Sequence, residues 1–465
     1  MDTEPNSTGI DHPASGSRAA RQTWIDDWRP EDEQFWESTG KRIAWRNLWF
    51  SIFAEHIGFS VWTIWSVLVL FMGEDYGLTP ADKFLLVSLP AAVGALLRLP
   101  YTFAVAWFGG RNWTIVSALL LLVPIGLAAL VLEPGVSYST LLLVALTAGV
   151  GGGNFASSMA NINTFFPDRV KGGALGLNAG GGNLGVAVIQ LLGLAVLATA
   201  GPTAPRLLLA VYLPLIVVAA LCAALFMNNL TMVKNDSAAA REALADRQMW
   251  VMGFLYIGTF GSFIGFSFAF GLVLQLQFDR TPLEAAAVTF IGPLVGSLIR
   301  PVGGWLADRM GGSRVTLLSF LAMGTSVVII VIASQTESLG IFTAGFLLLF
   351  VFSGVGNGST YKMIPAIYQA RAASAVEAGL SEDAARAQAR RISSAVIGIV
   401  SAVGALGGLF INLAFRQSFA ATGSGIPAFL SFLAFYGLCA AVTYVVYLRP
   451  RARIASERVL AYAGV

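Results

Sequence analysis

Twelve times along this chain an apolar run continues long enough to cross a lipid bilayer, which takes about 20 residues of helix. The runs fall at 47–72, 84–107, 112–132, 139–165, 172–200, 206–227, 248–275, 286–306, 313–334, 339–367, 392–418 and 426–448. In lipid every backbone N–H and C=O needs an internal partner, so spanning segments are helices or closed barrels. None of the runs alternates residue by residue as a barrel strand does. The expected fold class is therefore an all-α membrane protein of twelve transmembrane helices. Charge is scarce to match: Asp, Glu, Lys and Arg make up 12% of the 465 residues, against about 25% in soluble domains. Soluble globular and disordered chains are both excluded.

The few basic residues sort by side. With the N-terminus placed inside, the outer connections hold only Lys83, Arg206, Arg280 and Arg416. Three basic residues, Arg98, Arg300 and Lys362, lie within spans, and the rest of the 29 fall on the inner side. The positive-inside rule then puts both termini in the cytoplasm and the chain in the cytoplasmic (inner) membrane. The net charge of +3 is a topology signal, and nucleic acid is not an expected partner. Residues 1–45 are polar and hold nine acidic residues, together with His12, one of the two histidines. They read as a cytoplasmic tail, not a cleaved signal peptide. Its stretch from Trp24 to Trp45 mixes aromatics with charge and either lies on the membrane surface or caps the inner face.

Two stretches repeat. Gly94-Ala-Leu-Leu-Arg98-Leu-Pro100 precedes Gly109-Gly110-Arg111, and Gly296-Ser-Leu-Ile-Arg300-Pro301 precedes Gly311-Gly312-Ser-Arg314, at an offset of 202. Gly153-Asn154-Phe155-Ala-Ser157 and Gly356-Asn357-Gly-Ser359-Thr360 stand at an offset of 203. Two six-helix halves related by a repeat mark many secondary transporters. The expected division is a tail (1–45), a first half (46–228), a cytoplasmic linker (229–247), a second half (248–448) and a second cytoplasmic tail (449–465).

Arg98 and Arg300 each sit eleven residues before a Gly-Gly pair, about 16 Å along a helix, and half of the bilayer core is about 15 Å. Each half therefore carries an arginine near the midplane, where insertion costs roughly 2.5–3.5 kcal/mol. Structural ion pairs would need acidic partners, and Glu55 is the one clear intramembrane carboxylate. A bound anion relieves both the burial cost and the mutual repulsion. Two planar guanidinium forks suit a small oxyanion, which a lysine point charge would not grip in the same way.

Catalytic material is lacking. Cys222 and Cys439 lie apart in apolar runs, and two histidines make no metal cluster, so no enzyme activity, metal or cofactor is expected. A non-transporting sensor of the bound anion, on the same fold, stays open as another class; no signalling domain is recognisable in the short tails.

Gly303-Gly-Trp-Leu-Ala-Asp308-Arg309-Met-Gly311-Gly-Ser-Arg314 resembles the cytoplasmic loop motif of the major facilitator superfamily. The resemblance implies gating by Asp308, Arg309 and Arg314, with an Asp–Arg clasp closing the inner face; the matching loop of the first half lacks the Asp. The stretch from Gly153-Asn-Phe-Ala-Ser-Ser-Met-Ala-Asn161 through Phe165-Phe-Pro167 to Gly172-Gly-Ala-Leu-Gly-Leu-Asn178 is similar to the first signature of the nitrate/nitrite porter family. Gly356-Asn-Gly-Ser-Thr360 resembles its second. Asp27-Trp-Arg-Pro-Glu-Asp32 and Arg46-Asn-Leu-Trp49 are similar to its NarK-type branch. The likeness runs from about residue 25 to the end. It implies nitrate and nitrite as substrates, carried by one chain acting as a functional monomer in the lipid bilayer. It also implies Arg98 and Arg300 as the substrate clamp, Asn183 as an amide contact, Tyr256 as a hydroxyl contact, and Phe155 and Phe260 as aromatic walls.

Some residues need their own reading. Gly172, Gly176 and Gly180 recur on one helix face and are read first as close packing, with sliding between helices as an addition. Asn178, in the same apolar helix, needs a partner and could serve the anion. Glu55-His56 is either a proton-coupling site or a polar pair bonded to neighbouring helices. Lys362 is expected to snorkel to the inner face, and Ala370–Arg391 to form a solvated cytoplasmic helix. Two facing positive charges make an empty, occluded site costly, which favours nitrate/nitrite exchange; a titrating Glu55 or His56 would allow nitrate/proton symport.

Overall fold

The computed structural model describes residues 23–233 and 236–449. Expectations for the outer parts of both tails, with His12, and for residues 234–235 of the linker lie outside the described residues.

Eleven helices in it are long and apolar enough to cross a membrane. They are α2 (Pro80–Phe108), α3 (Gly110–Val131), α4 (Tyr138–Phe165), α5 (Asp168–Ala200), α6 (Pro205–Phe226), α7 (Arg247–Phe278), α8 (Pro282–Met310), α9 (Gly312–Gln335), α10 (Leu339–Glu377), α11 (Glu382–Thr422) and α12 (Ile426–Leu448). The twelfth element of the bundle is α1 (Lys41–Thr63), followed by a further helical turn at Trp65–Leu68. It packs on α4, α5 and α6. It is less apolar because it carries Asn47, Ser51, Glu55 and Ser60, all buried inside the protein and away from lipid.

The repeat extends to the helix ends. Thr79 caps α2 in a box with Asp82, Thr281 caps α8 in a box with Glu284, and each cap is followed by proline. The same helices stop at Gly109 (φ 85°) and Gly311 (φ 90°), backbone values that only glycine adopts without strain. Cap, arginine and terminal glycine thus all repeat at the offset of 202. Within the halves α2 packs on α4, and α8 and α9 on α10; between them α2 lies along α11 and α5 along α8.

The tail and the linker gather at one end of the bundle, termed here the linker face. β1 (Trp24–Ile25) pairs in parallel with β2 (Asn229–Leu230), and Trp28 and Trp36 are buried against Phe165, Phe166 and Leu230. The Trp24–Trp45 stretch thus covers the linker face with Trp28 and Trp36 buried, while Trp24 and Trp45 stay exposed. The segment expected as one solvated helix over 370–391 is instead the ends of two spanning helices. α10 runs on to Glu377 and α11 starts at Glu382, because nothing in the Ala-rich sequence breaks a helix before the turn at 378–381.

Helix α5 also departs from expectation. A Cβ at Gly173 or Gly176 would meet nothing within 4 Å, and one at Gly172 or Gly180 only Lys362 Nζ at 3.9 Å or the Ser297 carbonyl at 4.0 Å. The tight contacts are made one face over, where Gly181, Gly182 and Gly185 fit against Ile52, Glu55 and His56 of α1. The repeated glycines therefore face the other half loosely, and it is their neighbours that close-pack.

A short linker helix, Ser237–Ala245, is capped by Asp236, whose carboxylate accepts from the Ala239 N–H at 2.8 Å. Arg391 of α11 pairs with both Asp236 and Glu242. The Arg391 hydrogen bond holds the Asp236 carboxyl below its ordinary range. The stabilisation is therefore present above the ordinary carboxylate pKa and is lost as pH falls through the lowered one. Replacing Asp236 with Asn should lower the amide exchange protection factors of the linker helix at neutral pH, as acidification should lower them in the unchanged protein. Equal exchange in both proteins at neutral pH would refute the clamp.

Candidate functional site

Arg98 and Arg300 come together at the middle of the bundle, 0% and 4% exposed. Arg98 Nε donates to the Gly152 carbonyl of α4 at 3.2 Å, and its Nη1 crosses to the Ser401 carbonyl of α11 at 2.9 Å. Arg300 Nη2 donates to the Tyr256 hydroxyl at 3.3 Å. Both guanidinium groups face the ring of Phe155, at 4.6 Å for Arg98 and 6.0 Å for Arg300. Arg98 also faces Trp62 (5.4 Å) and Phe260 (4.9 Å), and Arg300 faces Tyr361 (5.5 Å). Such contacts are worth about 2 kcal/mol when desolvated. They soften the burial of charge and leave it unneutralised. Arg98 Nη2 and Arg300 Nη1 are buried without a hydrogen-bond partner among the described residues.

The aromatic floor is a stack. Phe155 lies over Phe260 with centroids 6.1 Å apart, and Phe260 over Tyr256 at 5.3 Å. Tyr256 immediately precedes, and Phe260 lies within, a π-helical turn, Ile257–Gly261, inside α7. Its last residue is pressed against α11: a Cβ on Gly261 would stand 2.7 Å from the Gly407 Cα. Turns of this kind recur at functional sites, and here one lets two rings face the arginines while the helix continues.

Access is from one side. A cavity of about 190 Å³ is lined at its deep end by Phe155, Tyr361 and Ser401 and at the linker face by Asp236 and Arg391. The opposite face is shut. Phe84 stacks on Phe415 and Phe419 (5.6 and 5.4 Å), and Gln190 donates to the Ser267 carbonyl at 2.8 Å, both across the halves.

Residues 48–410 match the model of the Major Facilitator Superfamily. The chain is 39% identical over 446 residues to the nitrate/nitrite transporter NarU of Salmonella typhimurium, covering 91% of this chain and 96% of that one. The chain belongs to the nitrate/nitrite porter family of the major facilitator superfamily. The probable nitrate/nitrite antiporter NarK2 of Thermus thermophilus is 32% identical, over 93% of this chain and 98% of its own. The solved structure of a D-xylose-proton symporter superposes with a TM-score of 0.65 at 13% identity, covering 88% of this chain and 99% of that one, and shares the fold.

Within this porter-family fold the residues singled out from sequence divide into groups. Arg98, Arg300, Tyr256, Phe155 and Phe260 form one cluster. Asn183 is fully buried with both amide atoms unpartnered; it lies one turn from Gly180, which faces the Ser297 carbonyl of α8. Asn178 lies elsewhere, donating to Glu55 Oε2 (2.7 Å) and to Ser158 Oγ (2.7 Å). Glu55 and His56 each bond the neighbouring helix α5: Glu55 accepts from Asn178, and His56 Nδ1 meets the Gly181 carbonyl at 3.2 Å. The Asp–Arg clasp is not formed either. Asp308 pairs with Lys362 Nζ at 2.9 Å, and Arg309 covers the Trp305 ring at 4.0 Å, while Arg314 is exposed. Lys362 does reach that face, as expected. The ion pair that ties the two halves there is Arg390 with Asp168, at 2.9 Å. Trp62, Tyr361 and Ser401 were not expected at the site. Their one sequence signal is position: Tyr361 directly follows the second signature.

Proposed function

We propose that this chain carries nitrate and nitrite across the cytoplasmic membrane by alternating access, exchanging one for the other, with the anion held between Arg98 and Arg300. The observation that carries the reading is the pair of buried guanidinium groups, each with an unpartnered Nη and each facing the Phe155 ring. An unpartnered buried donor costs about 1–3 kcal/mol, more when charged, and an oxyanion satisfies both. Tyr256 and Asn183 add neutral donors, and Phe155 and Phe260 give a flat anion an apolar floor. The linker face is cytoplasmic in this reading, so the cavity opens inward and both termini lie inside. Asp308, Arg309 and Arg314 stay near the gate, with Arg390 and Asp168 as the tie between the halves. The names of the relatives agree with the substrates.

Exchange follows from charge: the nitrate-loaded and nitrite-loaded sites carry the same net charge and cross at similar cost. Vesicles reconstituted with the purified protein and loaded with nitrite should take up external nitrate. Sulfate and phosphate should compete at least tenfold less well than nitrite, since a compact site with an apolar floor disfavours strongly hydrated anions. Binding of nitrate without counterflow would make the chain a sensor, and equal competition by nitrite, sulfate and phosphate would remove the aromatic floor from the account of selectivity.

A further inference from the structure

The cavity that opens at the linker face stops short of the arginines. Phe155, Tyr361 and Ser401 line its deep end, and neither Arg98 nor Arg300 lines it. An anion arriving from that side therefore meets these three residues before it meets a guanidinium group. Two of the three are committed to other contacts. Phe155 stands edge-on to Phe59 at 6.0 Å and stacks on Phe260. Ser401 Oγ donates to the Gly398 carbonyl at 2.8 Å, and the Ser401 carbonyl accepts from Arg98. The third, Tyr361 of α10, has its ring 6.1 Å from the Tyr256 ring and 5.5 Å from the Arg300 guanidinium. Its hydroxyl is buried without a hydrogen-bond partner among the described residues.

Packing does not account for that oxygen. A buried tyrosine O–H ordinarily finds a partner, and leaving the bond unmade is costly. Phenylalanine would fill the same space without the cost. The hydroxyl lies within electrostatic reach of both Arg98 and Arg300, yet Arg300 gives its bond to the Tyr256 hydroxyl instead. Arg98 Nη2, Arg300 Nη1 and Tyr361 Oη are thus left over in one neighbourhood, on α2, α8 and α10. Guanidinium nitrogens can only donate, and a hydroxyl has one proton to give. What the three lack in common is an acceptor.

We propose that Tyr361 is a further anion-binding residue, its hydroxyl donating to the bound anion from the cavity side, and that it tips the site toward nitrate over nitrite. This rests on the reading of Arg98 and Arg300 as the anion site. Nitrate has three oxygens and nitrite two. When each free Nη takes one oxygen, nitrate keeps a third for the hydroxyl. Nitrite has only a nitrogen lone pair left to present, a poorer acceptor than a charged oxygen. The hydroxyl is neutral, so it adds this preference without altering the charge that crosses the membrane, and the two anions still exchange at equal charge. Tyr256 and Asn183, the other neutral donors, do not line the cavity, whereas Tyr361 does. It is therefore the contact an anion makes first on entry from the linker face and breaks last on release to it.

The test compares nitrate and nitrite binding by the purified full-length protein and by Tyr361→Phe, which removes one oxygen and keeps the ring. Calorimetric titration with each anion gives the two affinities. Tyr361→Phe should weaken nitrate binding about tenfold, the worth of one hydrogen bond to a charged group. Nitrite binding should weaken less than about threefold, so the ratio of the two affinities falls. Unchanged nitrate affinity would overturn the proposal by leaving the hydroxyl to solvent. An equal loss for both anions would overturn it by making the hydroxyl a support of the site's shape. Should Tyr361→Phe fail to insert, 3-fluorotyrosine at position 361 keeps the hydroxyl in an otherwise unchanged protein. Its fluorine resonance should shift on adding nitrate and shift less with nitrite; no shift with nitrate, or equal shifts, would overturn the proposal as well. Failure of the anion site itself reads differently: the unchanged protein would then bind neither anion.

Discussion

Lysine in place of either Arg98 or Arg300 should abolish nitrate uptake while leaving the amount of inserted protein unchanged. Lysine keeps the charge, so the loss isolates geometry. Arg98 uses two of its nitrogens to bond the Gly152 and Ser401 carbonyls and leaves Nη2 for a ligand. An ammonium on a flexible stem cannot hold α4, α11 and an anion with that fixed spacing. Losing two charge-assisted bonds at about 1.5 kcal/mol each weakens the assembled site by roughly 100-fold. For Arg300 the bond lost is to Tyr256, and the free Nη1 goes with it. Nitrate-induced tryptophan quenching is a fitting readout, because Trp62 lies 5.4 Å from the Arg98 guanidinium. Uptake near the unchanged rate by either lysine variant would show that charge alone suffices and would remove the clamp.

The arginines were legible in the sequence because charge within a span is rare and expensive, so two such residues at matched depth stand out. The fold was legible for the same reason: twelve apolar runs and an offset of 202 leave few other arrangements. Trp62 and Tyr361 were hidden because an aromatic residue in an apolar run reads the same whether it faces lipid, core or ligand. The π-helical turn at Ile257–Gly261 left no trace, since one extra residue in a helical turn changes neither composition nor hydropathy. Asp308 was assigned to an arginine on the strength of a motif, but Lys362 arrives from α10 and takes it, a contact no local spacing encodes. Asn178 had an identifiable need for a partner, and the partner proved to be Glu55, 123 positions away. Apart from that turn, what sequence reading missed was a contact between helices.

Gly152 makes the point with no charge and no ring of its own, and Gly152→Ala should also bring nitrate transport close to background. A Cβ there would stand 2.7 Å from the Gly94 Cα and 2.7 Å from the Trp62 ring. Ordinary carbon contacts lie at about 3.5–4.0 Å, so something must move by roughly 1 Å. Gly94 opposes with backbone, and Trp62 is held by its own bond to the Pro90 carbonyl at 2.7 Å. The yielding part is therefore the α2–α4 contact, which carries Arg98 on one side and its Gly152 carbonyl partner on the other. Overpacking of this kind costs about 1–3 kcal/mol, which lowers the thermal midpoint without preventing insertion. Gly126→Ala in α3 is the matched control: a Cβ there meets nothing within 4 Å, and alanine suits a helix better than glycine by about 0.5–1 kcal/mol. The expected pattern is an inserted, slightly destabilised Gly152→Ala that binds nitrate at least tenfold more weakly, beside a Gly126→Ala that transports normally. Full transport by Gly152→Ala would mean that α2 and α4 can part without disturbing Arg98, and the position of that guanidinium would then not be what the glycine contact protects.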